Sequence, residues 1–152
     1  MIARFNYFSP LGIIKIQADA IGITEVKFVD QSERDNLNPN YPAIKDAVRW
    51  LDDYFLGNVP LTYPQFHLNG TDFQQKVWQQ LRQIPYGTTV TYGQLAQRLN
   101  SSPRAVGNAV GKNPILLFIP CHRILRQNGK LTGYSGGLKR KKKLLAIENI
   151  KL

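Results

Sequence analysis

The chain has 152 residues, 43% of them hydrophobic, and a formal charge of +10 at pH 7; this is enough apolar material for a buried core, which excludes a disordered chain and suits one domain or a small module beside a larger one. Met1 to Ala20 contains no apolar run of secretory type, and the longest unbroken apolar stretch, Ile115 to Ile119, is too short to cross a bilayer, so a soluble, cytoplasmic protein with no membrane partner is expected. The charge is unevenly placed, with 6 Lys/Arg against 8 Asp/Glu in residues 1 to 70 and 14 against 2 in residues 71 to 152, a balance that points the second half toward a polyanion, nucleic acid first.

Arg4–Phe8, Leu11–Ala18 and Gly22–Val29 read as strands separated by turn signals at Ser9-Pro10 and Ala20 to Gly22, and predict a small antiparallel sheet. After the polar loop Gln31 to Asn40, the residues Ile44, Ala47, Val48, Leu51 and Phe55 recur at helical spacing. They predict an amphipathic helix ending near Gly57 and covering one sheet face. The stretch Asn58 to Gly70 has two prolines and no period, and is expected to link an N-terminal domain, 1–70, to a C-terminal one, 71–152. His67 lies in it without charged sequence neighbours and receives no role.

From Asp72 the pattern turns helical, with Phe73, Val77, Leu81 and Ile84 as one stripe, Trp78 packed beside it and Pro85-Tyr86-Gly87 as the stop. Thr91 followed by Gln94 fits a capping box for a short helix through Leu99. Ser102-Pro103 then supplies an N-cap and a first-turn proline for a second helix to about Lys112. Two short helices joined by Asn100 to Ser102 suggest a helix-turn-helix, or simply a helix pair of an ordinary core. In the DNA-reading version the second helix lies on the nucleic acid, and Gly107, Ala109 and Gly111 are small enough for close backbone approach.

Ile115 to Ile119 reads as a short β-like run delivering Pro120-Cys121-His122-Arg123, and Asn128-Gly129 as a two-residue hairpin turn. Tyr134-Ser135-Gly136-Gly137 reads as a flexible loop, after which Leu138, Leu144, Leu145 and Ile147 place a last helix against the core. The run Lys139 to Lys143 is either a solvated helix face or part of a polyanion-binding surface. The fold class is therefore α/β (α+β): a small N-terminal antiparallel sheet with a helix, followed by a mostly helical C-terminal domain containing a helix-turn-helix.

Cys121 is the only cysteine and there are two histidines, which excludes an internal disulfide and argues against a structural zinc site; no metal and no cofactor are expected. With basic residues following at once, Cys121 has what a reactive thiolate needs. A lone cysteine is equally at home as a small buried hydrophobe, and His122 as a satisfied core histidine. Glu148, the only acidic residue after Asp72, is expected to have a partner or to decorate a helix surface.

Four separated blocks, Arg104-Ala105-Val106-Gly107, Asn113-Pro114 leading to Ile119-Pro120-Cys121-His122-Arg123, Gly133-Tyr134-Ser135-Gly136-Gly137, and Leu144-Leu145-Ala146-Ile147-Glu148, closely resemble the O6-alkylguanine-DNA alkyltransferase family. The likeness runs from about Phe73 to Glu148, and the N-terminal layout is similar to that family's N-terminal domain. The resemblance implies irreversible, stoichiometric transfer of an alkyl group from O6-alkylguanine in DNA to Cys121, activated through His122, a bound water and Glu148. It implies that Tyr92 serves the base, that Tyr134 and Ser135 form the substrate pocket, and that Asn113 ties the helix end to the active-site turn beside it. Arg104, with Ala105, Gly107 and Arg123, would contact double-stranded DNA through the minor groove, Arg104 filling the gap left by the flipped nucleotide. The segment from Tyr92 to Arg104 is shorter than in many members, and the zinc-binding N-terminal cysteines of some members are absent. A monomer in solution is expected. Three rival readings follow from the same residues: a damage sensor without transfer, a helix-turn-helix transcriptional regulator, and a cysteine hydrolase using Cys121 and His122.

Overall fold

The protein is described by a computed structural model covering residues 2–131 and 133–151; Met1, Thr132 and Leu152 lie outside the described residues. The chain divides into two compact units, Met1–Asn69 and Gly70–Leu152.

In the first unit β1 (Ala3–Ser9), β2 (Gly12–Ala18) and β3 (Ile23–Val29) form an antiparallel sheet in the order β1-β2-β3. Alternation along β2 sends Ile14, Ile16 and Ala18 into the core, the period-2 pattern of a strand with one covered face. The cover is α1 (Pro42–Phe55), which packs on β1 and β2. Its buried stripe is Ile44, Ala47, Trp50, Leu51 and Tyr54; Val48 and Phe55, expected there, are only half-buried, because the large rings of Trp50 and Tyr54 stack at 5.3 Å and take the inner face. The expected linker is not free chain either. Its Gln65 carbonyl accepts the Ile23 N–H and its His67 N–H donates to the Ile23 carbonyl, both at 2.8 Å, so residues 65–67 pair with the start of β3. His67 also meets Asp19 through Nδ1, a neighbour remote in sequence.

The second unit is built from α2 (Asp72–Arg82), β4 (Val90–Thr91), α3 (Tyr92–Arg98), α4 (Pro103–Gly111), β5 (Ile124–Leu125) and α5 (Leu138–Ile147). Both N-caps predicted from sequence, at Thr91 and Ser102, are made, and a third that the sequence reading did not single out, at Thr71, joins them. Thr91 and Gln94 close a reciprocal capping box, Thr71 and Gln74 close another, and Ser102 Oγ accepts the Ala105 N–H, each cap contributing about 1 kcal/mol. The core holds Val77, Trp78, Leu81, Leu95, Val106, Ala109, Leu144 and Leu145, and the Trp78 indole N–H donates to the Ala109 carbonyl at 2.9 Å, tying α2 to α4. Ala109 therefore faces the core rather than a DNA backbone.

Three expectations fail here for local reasons. Ile115 to Ile119 is fully buried but is not a strand: Leu117 takes φ +75° and the Phe118 N–H closes back on the Leu116 carbonyl at 2.9 Å, a γ-turn of the strained left-handed kind. Asn128-Gly129 is part of a three-residue loop, since Gly129 N–H bonds the Arg126 carbonyl and Arg126 N–H bonds the Lys130 carbonyl, with Gly129 at φ +79° in the left-handed position. In α5, Leu138 is 49% exposed while Lys141, from the middle of the basic run, is buried beside Leu144 and Leu145.

Candidate active site

Two very short strands position the site. Val90 pairs with Ile124 and Thr91 with Leu125, in parallel. β4 runs straight into α3, whose first residue is Tyr92, and β5 follows directly on Cys121–Arg123, so this pairing ties the start of α3 to the Cys121 segment. The segment itself is a chain of tight turns. After the γ-turn at Leu117, Pro120 sits at φ −81°, ψ 65° and lets the Cys121 N–H bond the Ile119 carbonyl at 2.8 Å; Cys121–Arg123 then form one 3₁₀ turn. Asn113, just past the end of α4, holds the whole construction: its Nδ2 donates to the Ile119 carbonyl at 2.8 Å and its Oδ1 accepts the Ile115 N–H at 3.0 Å.

A cavity of about 700 Å³ opens on Cys121, and Tyr92, Arg104, Gly107, Tyr134 and Ser135 line it as well. Gly107 lies against the Tyr92 ring, where a Cβ would make an ordinary contact at 3.8 Å. Gly93, Pro103, Val110, Gly111, Arg126, Gln127 and Gly133 complete the lining; none was singled out as a pocket residue from sequence. Among the described residues no three His, Cys, Asp or Glu side chains come together as a metal site.

Behind the cavity wall lies a buried polar cluster. Glu148, 2% exposed, follows α5 and accepts four hydrogen bonds. Its Oε2 takes the imidazole Nε2 of His122 at 2.6 Å and Arg123 Nη2 at 3.2 Å. Its Oε1 takes Arg123 Nε at 2.7 Å and the Gly87 backbone N–H at 3.0 Å. Gly87 can offer that N–H because it turns at φ +82°, which an L side chain resists. Arg123 completes its own bonding through Nη1 to the Ile84 carbonyl at 2.8 Å. The sequence placed Arg123 among the DNA contacts; the structure corrects this, because the side chain points inward and its donors are engaged within the protein, leaving it 4% exposed.

The electrostatics follow from burial and these partners. Burial pushes the Cys121 thiol up to about 11, against smaller lowering effects of Asn113 and Lys141. Burial also lowers the His122 pKa, outweighing the pull of Glu148 in the other direction. For Glu148 burial acts upward, but His122 and Arg123 overcome it and hold the carboxyl well below the ordinary range. At neutral pH the resting site is thus a thiol, a neutral imidazole and a carboxylate. Lys141 donates from Nζ to the Ile124 carbonyl at 2.7 Å, and burial brings its pKa down to about 8.

Cys121, His122 and Glu148 are therefore brought together with Tyr92, Tyr134 and Ser135, as are Arg104 and Gly107 on α4. Asn113 supports the turn and does not line the cavity, and Ala105 is a half-exposed α4 residue away from the lining. Lys141 was missed, although its spacing to Leu144, Leu145 and Glu148 is that of a buried helix stripe.

Two family descriptions match the chain. "6-O-methylguanine DNA methyltransferase, DNA binding domain" covers residues 72–150, and "6-O-methylguanine DNA methyltransferase, ribonuclease-like domain" covers residues 5–64. A methylated-DNA–protein-cysteine methyltransferase of Mycobacterium tuberculosis (strain ATCC 25618 / H37Rv) is 40% identical over 145 residues, spanning 92% of this chain and 88% of that protein. Its counterpart in Haemophilus influenzae is 42% identical over 158 residues, spanning 95% and 84%. Among solved structures, Mycobacterium tuberculosis O6-methylguanine methyltransferase superposes with a TM-score of 0.85 at 38% identity, covering 97% of this chain and 93% of that one. Mycobacterium tuberculosis OGT in complex with DNA gives 0.83 at 39% identity, covering 97% and 91%.

Proposed function

The chain belongs to the 6-O-methylguanine DNA methyltransferase family, and on that premise we propose that it repairs DNA by direct reversal, taking the alkyl group of an O6-alkylguanine onto its own Cys121. The observation that carries this reading is the placement of the one cysteine of the chain on the wall of a cavity large enough to admit a base, next in the chain to His122, which pairs with the buried Glu148.

The chemistry is a displacement at saturated carbon. The Cys121 sulfur forms a bond to the alkyl carbon while the carbon–O6 bond breaks, and that electron pair returns to the guanine, which takes up a proton and leaves as the normal base. A thiol whose pKa is raised to about 11 needs a base to become the attacking thiolate. Neutral His122 accepts the thiol proton, directly or through a water, and Glu148 stabilises the imidazolium that results. Tyr92, at the start of α3 and on the cavity wall, donates its hydroxyl proton to the base; its pKa is raised, by burial first and by Cys121 second, so it remains protonated for that role. Tyr134 and Ser135 close the pocket around O6. The thioether product has no easy return path, so each molecule acts once.

The target atom is out of reach in a duplex, so the nucleotide is flipped into the cavity. Arg104, exposed near the start of α4, fills the vacated place from the minor groove, while the lysines and arginines of residues 71–152 hold phosphates. Every residue in this scheme comes from one chain, so a monomer suffices. The rival of a transcriptional regulator with an idle cysteine is not favoured, since the relatives carry the transferase name.

The test is intact-mass spectrometry after mixing the protein with a short duplex holding one O6-methylguanine, followed by peptide mapping. A gain of one methyl group per molecule on Cys121 is expected; bound DNA with no mass gain would overturn the assignment.

A further inference from the structure

The proton relay from Cys121 has a member that the transfer scheme above does not use. Arg123 sits next to His122 in the chain and lays the Nε and Nη2 edge of its guanidinium along both oxygens of Glu148, at 2.7 and 3.2 Å, while Nη1 is anchored on the Ile84 carbonyl. The Tyr86 ring lies under it, with the guanidinium carbon 5.7 Å from the ring centroid. This is the fork geometry in which arginine binds a carboxylate two-handed, and the charge is permanent at any working pH.

A buried carboxylate 2.6 Å from an imidazole and without any other cation favours the imidazolium. An imidazolium cannot accept the thiol proton. Resting on the functional reading above, we propose that Arg123 is a positioning residue of the transfer reaction: by neutralising Glu148 and fixing its Oε2 on Nε2 of His122, it keeps the imidazole uncharged, with Nδ1 as the basic nitrogen. The neutral Nε2–H donates to Glu148, which leaves Nδ1 to take the proton released by Cys121 as its sulfur bonds carbon. Among the described residues, the groups that face His122 include Glu148 behind α5, Arg123 in its own turn, Lys141 from α5 and the Tyr134 phenol, whose ring lies 6.4 Å from the imidazole and nearly perpendicular to it. Of these, Glu148 draws a proton onto His122 while Arg123 and Lys141 oppose it. Removing Arg123 therefore tips the balance toward imidazolium.

The experiment is the rate of methyl transfer from an O6-methylguanine duplex between pH 6 and 9, measured for the unaltered chain, Arg123→Gln and Arg123→Lys. In Arg123→Gln the acid limb of the profile moves to higher pH by about one unit, giving roughly a threefold loss at pH 6 that closes at high pH. Arg123→Lys keeps a point charge and loses the fork, so its limb moves less in the same direction. A uniform loss across the pH range would reduce Arg123 to a structural support and overturn the proposal. Should Arg123→Gln fail to fold, the decision falls to the folded Arg123→Lys chain, in which the two histidines of the protein are titrated by NMR, with His67→Asn assigning the signals. Titration of His122 at higher pH than in the unaltered chain is expected, and an unmoved titration refutes the idea. If the unaltered chain takes up no methyl group, the functional reading falls, and the NMR titration still decides the role of Arg123.

Discussion

Replacing Glu148 with glutamine keeps the shape of the side chain and removes its charge, and the structure sets the cost. Four donors converge on the carboxylate, from His122, twice from Arg123, and from the Gly87 backbone. A carboxamide turns one acceptor into a donor that faces other donors, and it leaves the guanidinium of Arg123, 4% exposed, without a countercharge. Breaking one side of a buried ion pair costs about 3–5 kcal/mol, a large fraction of the roughly 5–15 kcal/mol that holds a domain folded. With a urea dependence of about 2 kcal/mol per molar, the midpoint falls by roughly 2 M. The assay is urea unfolding followed by tryptophan fluorescence in a Trp50→Phe background, so that Trp78 alone reports on the unit that holds the site. Adding Arg123→Met to Glu148→Gln removes the orphaned cation and recovers part of the loss. A Glu148→Gln midpoint within about 0.3 M of the parent, less than 1 kcal/mol at the same slope, would refute the claim that this carboxylate is held by charge.

Other outcomes follow from the same geometry. Cys121→Ser abolishes methyl uptake by mass spectrometry and leaves duplex affinity in a filter-binding or anisotropy assay largely intact; transfer by the serine variant would remove Cys121 from the acceptor role. Arg104→Ala slows repair of a duplex much more than reaction with a free O6-alkylguanine base, and equal slowing on both would exclude gap filling. Stability falls on acidification. The folded-state pKa of His122 is depressed chiefly by burial, and that of Glu148 is depressed because His122 and Arg123 overcome the opposing effect of burial, so the unfolded chain binds more protons than the folded one. The His122 contribution is present above about pH 6.5 and lost below it, and that of Glu148 is lost from about pH 4.3 downward; a melting temperature that stays flat from about pH 7.5 to 4.5 would contradict the first, and one that stays flat from about pH 4.3 to 2.5 the second. Gly70→Ala costs about 1–3 kcal/mol in the urea assay, because its new methyl group would lie 2.6 Å from the Trp78 ring; an unmoved midpoint would show that Trp78 yields freely.

Much of this architecture is written in local pattern. The three strands, the amphipathic character of α1 and the caps at Thr91 and Ser102 follow from alternation, helical spacing and side chains that bond their own backbone, and each of these is decided within a few residues. The site around Cys121 was legible because its parts stand in ordered blocks, and because one glutamate in a basic half demands a partner. What escaped was set by contacts distant in sequence. Arg123 looked like one more cation of a DNA-facing surface until Glu148, 25 residues on, turned it inward. Lys141 was hidden in a run of like residues, although its register with Leu144 and Leu145 marked the buried stripe. Ile115 to Ile119 has the composition of a strand, and Asn113 folds it into turns by satisfying the backbone groups at 115 and 119 that a sheet would otherwise have bonded.

The depth at which the acceptor thiol is stored has a consequence of its own. A protein consumed by its first reaction behaves as a reagent, and a reagent must survive until it is needed. Oxidants and stray electrophiles attack thiolate that solvent can reach. Cys121 is only 4% exposed and, with its pKa raised to about 11, almost entirely in the thiol form at rest. Its reactivity is therefore withheld from small oxidants in solution and released when the proton has His122 to go to and an alkyl carbon lies against the sulfur. The same burial that makes the thiol slow to ionise gives the molecule its shelf life.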